Sequence, residues 1–332
     1  LAALCYAEFA AMIPVSGSAY TYSYATLGEF IAWITGWNLI LEYGVASVAV
    51  AIGWSGYFNK LLQIAGIYLP DWATHAPGGP EGGVINLPAM IIVLLCTWML
   101  VVGIKESARI TTIIVVIKLV VIGFFIAVGA DQVDTANWSP FMPNGFAGVG
   151  AAAAIVFFAY IGFDAVSTTA EEARNPQRDI PIGIIASLGI CTLLYLAVAA
   201  ILTGMIPWQK IDVNAPIADA LGQLGFRWGA AIVSVGAVAG ITSVLVVLLM
   251  GQVRIFFAMS RDGLLGGWLA GVHPKFRTPH KATWITGIAV ALLAGVVQLG
   301  EAADMTNIGT LFAFLIVSVA VIVLRHAKPD EY

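Results

Sequence analysis

A chain of 332 residues that is 60% hydrophobic and only 10% charged, with 35 glycines and a mean hydropathy of +0.93, does not describe a water-soluble globule, where about a quarter of residues carry charge. It describes an integral membrane protein whose first partner is the lipid bilayer. Fifteen Lys and Arg against nineteen Asp and Glu give a formal charge of -4 with no sustained basic run, which disfavours nucleic acid as a partner. Cys5, Cys96 and Cys191 each sit in an apolar run at no ligand spacing, so neither a disulfide framework nor a metal site is expected.

The chain opens at Leu1 inside an apolar stretch without a positive n-region, which does not fit a signal peptide and reads as an internal fragment. Apolar runs near the roughly 20 residues that cross about 30 Å of hydrocarbon predict nine segments, at 1–13, 30–58, 84–104, 110–130, 146–170, 180–206, 229–259, 283–299 and 305–324. Strand alternation of the barrel type is absent. The loops after odd-numbered segments hold Lys105, Arg109, Arg174, Arg178, Arg254, Arg261, Lys275, Arg277, Lys281, Arg325 and Lys328, and those after even-numbered segments only Lys60, Lys210 and Arg227. Eleven against three places the odd loops in the cytoplasm. Trp54, Trp72, Trp138, Trp208, Trp228 and Trp268 fall near segment ends, where indoles anchor in the headgroup zone. Glycines in 146–170 and 229–259 permit the close helix packing that holds membrane bundles together.

Four ionisable residues remain inside the apolar segments: Glu8, Glu42, Lys118 and Asp164. Each costs about 2.5–3.5 kcal/mol at mid-membrane. Glu8, near a cytoplasmic end, is expected to snorkel. Glu42 and Lys118 each lie about 12 residues from the cytoplasmic start of their segments, hence about 18 Å deep at 1.5 Å per residue. The shared depth leaves two readings open, an ion pair that sets helix register or a functional pair.

Within 156–171, Gly162, Asp164 and the hydroxyls of Ser167, Thr168 and Thr169 interrupt an otherwise apolar segment. The pattern predicts a broken helix, with Thr168 and Glu171 as the capping box of a second half. Carbonyls freed at such a break are tolerated at membrane depth where they line a cavity or meet a ligand, and an ammonium group suits them. A continuous, kinked helix with Asp164 bonded locally is the other reading. No H-E-x-x-H, G-x-S-x-G, Walker A or T-V-G-Y-G pattern is present, which disfavours an enzyme, an ATP-driven pump and a selective channel.

Several stretches together resemble the amino acid permeases of the amino acid, polyamine and organocation superfamily: Pro14-Val-Ser-Gly-Ser-Ala-Tyr20, Phe157-Phe-Ala-Tyr-Ile-Gly-Phe-Asp-Ala-Val166, Glu171-Glu-Ala-Arg-Asn-Pro-Gln-Arg-Asp-Ile-Pro181, Ser260-Arg-Asp-Gly263 and Thr306-Asn-Ile-Gly-Thr-Leu-Phe312. Bacterial homologues of cationic amino acid transporters are the most similar branch. The resemblance implies an all-α membrane protein with two five-helix repeats of inverted topology. It makes residues 1–332 a single transporter domain covering spans two to ten of about twelve, in the plasma membrane, with the carboxylate-binding first span outside the chain.

Carried over residue by residue, the family pattern sets the substrate ammonium against the carbonyls of Phe158 and Ile161 at Gly162, with the Phe158 ring over the substrate and Asp164 as a gate or pH-sensitive element. Lys118 falls where sodium-coupled relatives hold a cation, with Thr242 and Ser243 offering hydroxyls from the eighth span. A lysine that exchanges a proton could replace bound sodium. One proton moved across 100 mV supplies about 2.3 kcal/mol, enough for about fifty-fold accumulation of a neutral solute. The resemblance thus implies a proton-coupled importer of amino acids with no cofactor; a sodium-coupled carrier, an exchanger and, outside the class, a channel or sensor stay open. Val246 and Leu249 share a face by i, i+3 spacing and would give the pocket an apolar wall, favouring small neutral substrates over arginine, with Glu42 as the side-chain contact that could reverse this. Loop 59–83 has no cysteine, so the disulfide-linked heavy chain of the family's light-chain branch is not expected.

Overall fold

The structure, a computed structural model, describes residues 2–12, 18–79, 82–103, 108–164, 166–167 and 173–327. Among them every regular element is helical. In chain order these are α1 (Ala2–Met12), α2 (Ser18–Leu27), α3 (Glu29–Ile64), α4 (Leu87–Val102), α5 (Ala108–Ala130) and α6 (Gly145–Val156). There follow α7 (Pro176–Met205), α8 (Pro216–Gln223), α9 (Arg227–Arg261), α10 (His280–Val296) and α11 (Leu299–Ala327). Five of them, α3, α5, α7, α9 and α11, are long and apolar enough to cross a membrane. Shorter apolar helices occupy the other expected segments.

Large apolar side chains point outward all along the bundle, among them Leu193 and Leu196 of α7 and Val120 of α5. In water such a surface would aggregate; in lipid it is the solvent-facing side. The interior centres on α3 and α9, which pack along each other and bury Tyr43, Leu245, Leu249 and Ile255. α4 and α10 run antiparallel and are tied at both ends, by Asn86 N–H to the Gly295 carbonyl (2.8 Å) and by the Thr278 hydroxyl to the Val101 carbonyl (2.7 Å). Gly287 makes that approach possible, because a Cβ there would lie 2.0 Å from Thr97 Oγ1.

Polar contacts gather at the two ends of the bundle. At one end Lys60 of α3 pairs with Asp219 of α8 at 2.6 Å and Gln298 reaches the Pro77 carbonyl. At the other end Tyr20 bonds Asp262 at 2.8 Å and Arg325 grips Glu8 through both carboxylate oxygens at 2.8 and 2.9 Å. Glu8 therefore does not merely snorkel: a guanidinium on the last turn of α11 matches its two oxygens.

Several boundaries differ from the hydropathy reading. α3 is 36 residues long, about 54 Å at 1.5 Å per residue, so it projects past the hydrocarbon. Arg178, Arg254, Arg261 and Arg325 lie within helices rather than loops, as do Glu301 and Asp304, which begin α11. Hydropathy marks where apolar residues stop, whereas a helix continues until its backbone bonding stops. Helices α2 and α8 fall where only connections were expected. α2 is short of aliphatic residues, yet Ser18, Ala19, Tyr20, Tyr22 and Ser23 are all buried because neighbouring helices enclose it. Trp54 is a correction too: at 9% exposure it is a core residue, donating from Nε1 to Thr242 Oγ1 (2.9 Å) and stacked on Phe58. Trp72, Trp208, Trp228 and Trp268 are exposed near helix ends.

Candidate functional site

The expected span at 146–170 is α-helical only as α6, then tightens into a 3-10 turn over Phe157–Tyr160. Ile161 is extended, with ψ 135°, and Gly162 has φ +115°, a backbone region that glycine enters without a Cβ penalty. In a continuous α-helix the Phe158 carbonyl would accept from the Gly162 N–H; it accepts from Ile161 N–H at 3.2 Å instead. The Gly162 N–H turns to Asp164 Oδ1 at 3.2 Å. The Ala159 carbonyl takes the Tyr195 hydroxyl of α7 at 2.7 Å. The helix is thus broken in its backbone bonding at the position the sequence predicts. A carbonyl has two lone pairs, so the 3-10 bond at Phe158 leaves one for a further donor. The Thr168–Glu171 capping box lies outside the described residues.

Beside the break is a cavity of about 510 Å³, within the roughly 300–1,000 Å³ of small-molecule sites. Its walls bring together Phe158, Ile161 and Gly162 of the break, Lys118 of α5 and Ser243 of α9. Lys118 reaches it because Gly240 has no side chain: a Cβ there would stand 2.7 Å from Lys118 Cε. Ser243 Oγ donates to the Gly240 carbonyl at 2.8 Å. The remaining walls are mainly apolar, from Ala46 and Val50 of α3, Val115 of α5, Leu188 of α7 and Val244, Val247 and Leu248 of α9, with Cys191 and Tyr195 on the α7 side.

The other expected site residues lie elsewhere. Thr242 faces Trp54 and donates to the Val238 carbonyl at 2.7 Å. Val246 and Leu249 do share a face, but it packs into the core with Val45, Val48 and Val93, a cluster whose edge the Phe158 ring touches. Asp164 and Glu42, both 0% exposed, sit behind the break. Asp164 accepts the Tyr43 hydroxyl at 2.5 Å, and its own carbonyl accepts from Ser167. Glu42 lies against Gly309 of α11, near enough to Asp164 for the two carboxyls to interact. Among the described residues neither Glu42 oxygen accepts a hydrogen bond and no ion pair joins Glu42 to Lys118, so equal depth does not make them partners.

Sequence reasoning missed Val244, Val247, Leu248, Cys191 and Tyr195. α9 is apolar nearly all round, so no stripe marks which face meets a cavity. Tyr195 carries a faint signal, a phenol within an aliphatic span that must find a partner for its hydroxyl.

The amino acid permease family matches residues 1–332. A branched-chain amino acid permease of Bacillus subtilis is 55% identical over 99% of this chain and 71% of its own length. The chain belongs to the amino acid permease family. A methylthioribose transporter of the same organism is 53% identical over 99% of the chain and 72% of its own length. A vacuolar cationic amino acid transporter of Arabidopsis thaliana is 37% identical over 99% and 56%. For a permease, a cavity that meets a broken helix is an arrangement able to bind a small solute through backbone groups at membrane depth.

Proposed function

We propose that this permease is the core of a secondary active transporter that imports amino acids by alternating access, coupled to protons, in the plasma membrane. The nine apolar segments then act as spans two to ten of a 5+5 inverted repeat. The observation that carries this reading is the cavity that unites the break at Phe158–Gly162 with the Lys118 amine. The substrate ammonium rests against the Phe158 and Ile161 carbonyls, and the Phe158 ring covers its backbone. Lys118 gains and loses the coupling proton, and Ser243 is the nearby hydroxyl. Asp164 holds the break from behind through the Gly162 N–H, so its state is transmitted to the binding carbonyls.

The cavity also argues for substrate class. The charged side chain on its wall is a lysine, and its α9 and α3 surfaces are aliphatic. Among the described residues no carboxylate lines this cavity, so burying a guanidinium beside its amine is unfavourable. Neutral aliphatic amino acids are the substrates this wall fits, which agrees with the name carried by the 55% identical relative. The methylthioribose relative favours a second reading, because ribose hydroxyls can donate to the same carbonyls without an ammonium.

Proteoliposomes containing the full-length protein test both. Saturable uptake of leucine or alanine driven by an inward proton gradient, displaced poorly by arginine and methylthioribose, is the expected result. Exchange that requires internal substrate would replace the coupling reading. Displacement by methylthioribose at lower concentration than by unlabelled leucine would replace the substrate reading.

A further inference from the structure

The change from α-helix to 3-10 turn at Phe157 disturbs the backbone where the turn begins as well as where it ends. Through α6 each carbonyl accepts from the N–H four residues on, whereas in the 3-10 turn Phe157–Tyr160 the donor is three residues on. Where one pattern gives way to the other, one carbonyl is passed over. That junction lies in the last turn of α6, and the polar side chain placed there is Asn307 of α11. Its Nδ2 stands 3.1 Å from the Ala154 carbonyl oxygen and 3.4 Å from that of Ile155.

Asn307 does not behave as a packing residue. It is buried, at 6% exposure, and among the described residues its Oδ1 accepts no hydrogen bond, so the amide acts through its donor alone. Leucine has nearly the same shape and would leave no oxygen to bury. The nearby Thr306 and Thr310 hydroxyls donate back to the Ala302 and Thr306 carbonyls of their own helix, whereas Asn307 donates across to α6. Two turns on, Phe314 of α11 meets Phe157 edge to face at 5.5 Å, so α11 holds the first residue of the turn as well as the carbonyls before it. At the far end the Ala159 carbonyl takes the Tyr195 hydroxyl of α7. The turn that carries Phe158 is therefore fixed at its entry from α11 and at its exit from α7.

We propose that Asn307 is a positioning residue for substrate binding: it supplies the donor that the junction lacks, holds 157–160 in the tighter turn, and so sets the direction of the Phe158 and Ile161 carbonyls. The inference rests on the reading that these carbonyls meet the substrate ammonium. An α-helix turns by about 100° per residue and a 3-10 helix by about 120°, so each residue that passed to the α pattern would swing the carbonyls after it by about 20°. Without the donor the segment is free to pass between the two patterns, and a solute meets correctly aimed carbonyls for only part of the time. Asn307 is not among the residues lining the cavity, so its loss acts on affinity and leaves the proton response to Lys118.

Leucine uptake and counterflow by the full-length protein in proteoliposomes, joined to hydrogen exchange of the same protein in nanodiscs, test this. In Asn307→Leu the half-saturating leucine concentration is expected to rise about fivefold, as loss of one net hydrogen bond implies, with the maximal counterflow rate and the pH dependence of uptake unchanged. The backbone amides of 157–162 are expected to exchange about fivefold faster. Should Asn307→Leu fail to insert, Asn307→Ser, smaller and polar, is expected to shift both measurements in the same direction. Unchanged half-saturation, or a maximal rate that falls as far as affinity does, would overturn the positioning role. Absence of saturable leucine uptake in the wild type would instead defeat the reading of the cavity, and the exchange measurement then decides on Asn307 by itself: faster exchange over 157–162 upholds its hold on the turn, and unchanged exchange overturns it.

Discussion

The two sides of the break in the α6 chain differ in almost every physical respect. Toward α5 and α7 lies an open cavity with one amine and aliphatic walls. Toward α1 and α11 lies a closed cluster in which Tyr6 meets Phe163 and Phe314 edge to face and those two rings tilt against each other, all within 5.7 Å, with Glu42 and Asp164 buried nearby. A few residues of irregular backbone separate them, and the Gly162 N–H bond to Asp164 links them. Polar chemistry behind the break is structural, since Asp164 holds the Gly162 N–H. The amine in front has no such duty, which is why Lys118 and Asp164 should respond to substitution differently.

The comparison is broken most severely at Gly162. Its hypothetical Cβ meets open space, so a side chain there is opposed by the +115° backbone angle, at about 1–3 kcal/mol. Gly162→Leu should lower uptake by about a hundredfold while the protein still inserts, with a fall in unfolding temperature no larger than that of Trp54→Phe. Near-normal leucine uptake would show that the break is not needed.

Lys118→Met should leave counterflow exchange of leucine intact and remove the response of uptake to a proton gradient. Accumulation with unchanged pH dependence would remove Lys118 from the coupling. A finer probe is Gly240→Ala, which puts a methyl group where the lysine stem now lies. It should shift the pH response with little change in half-saturating leucine, and an equal change in both would mean that Lys118 touches substrate rather than carrying the proton.

Behind the break, Tyr43→Phe deletes the hydroxyl that Asp164 accepts. A hydrogen bond of this kind contributes about 1 kcal/mol net, so uptake should fall by about fivefold, with half-saturation rising more than the maximal rate falls. The smallest effect on transport is expected at Trp54→Phe. It removes the indole bonds to Thr242 and the Val238 carbonyl, costs about 1–3 kcal/mol of stability, and leaves the cavity walls in place. A thermal shift without a transport defect supports Thr242 as a packing residue; loss of coupling would restore it to the proton site.

Much of the architecture is legible along the chain because lipid imposes one-dimensional rules. Length of apolar run and an intramembrane glycine followed by an acid each act within about twenty residues, and these located the apolar segments and the break at 161–164. Membrane depth is of the same kind, and Glu42 and Lys118 show its limit, since depth says nothing about rotation around the helix axis. Glu42 turns toward α11 and Asp164, whereas Lys118 turns toward Gly240 and the cavity. In a helix apolar on every side, hydropathy assigns no face, so Val246 and Leu249 could not be distinguished from Val247 and Leu248 until α3, α5 and α9 were packed. A hollow at the end of α3 is further still from the sequence, because it joins Asn59 of that helix to Asp71 and Asp212 from two separate connections. Local patterning determined the class, the segments and the break; which side chains meet across the bundle depends on helix rotation and close approach at glycines, and those are properties of the packed structure alone.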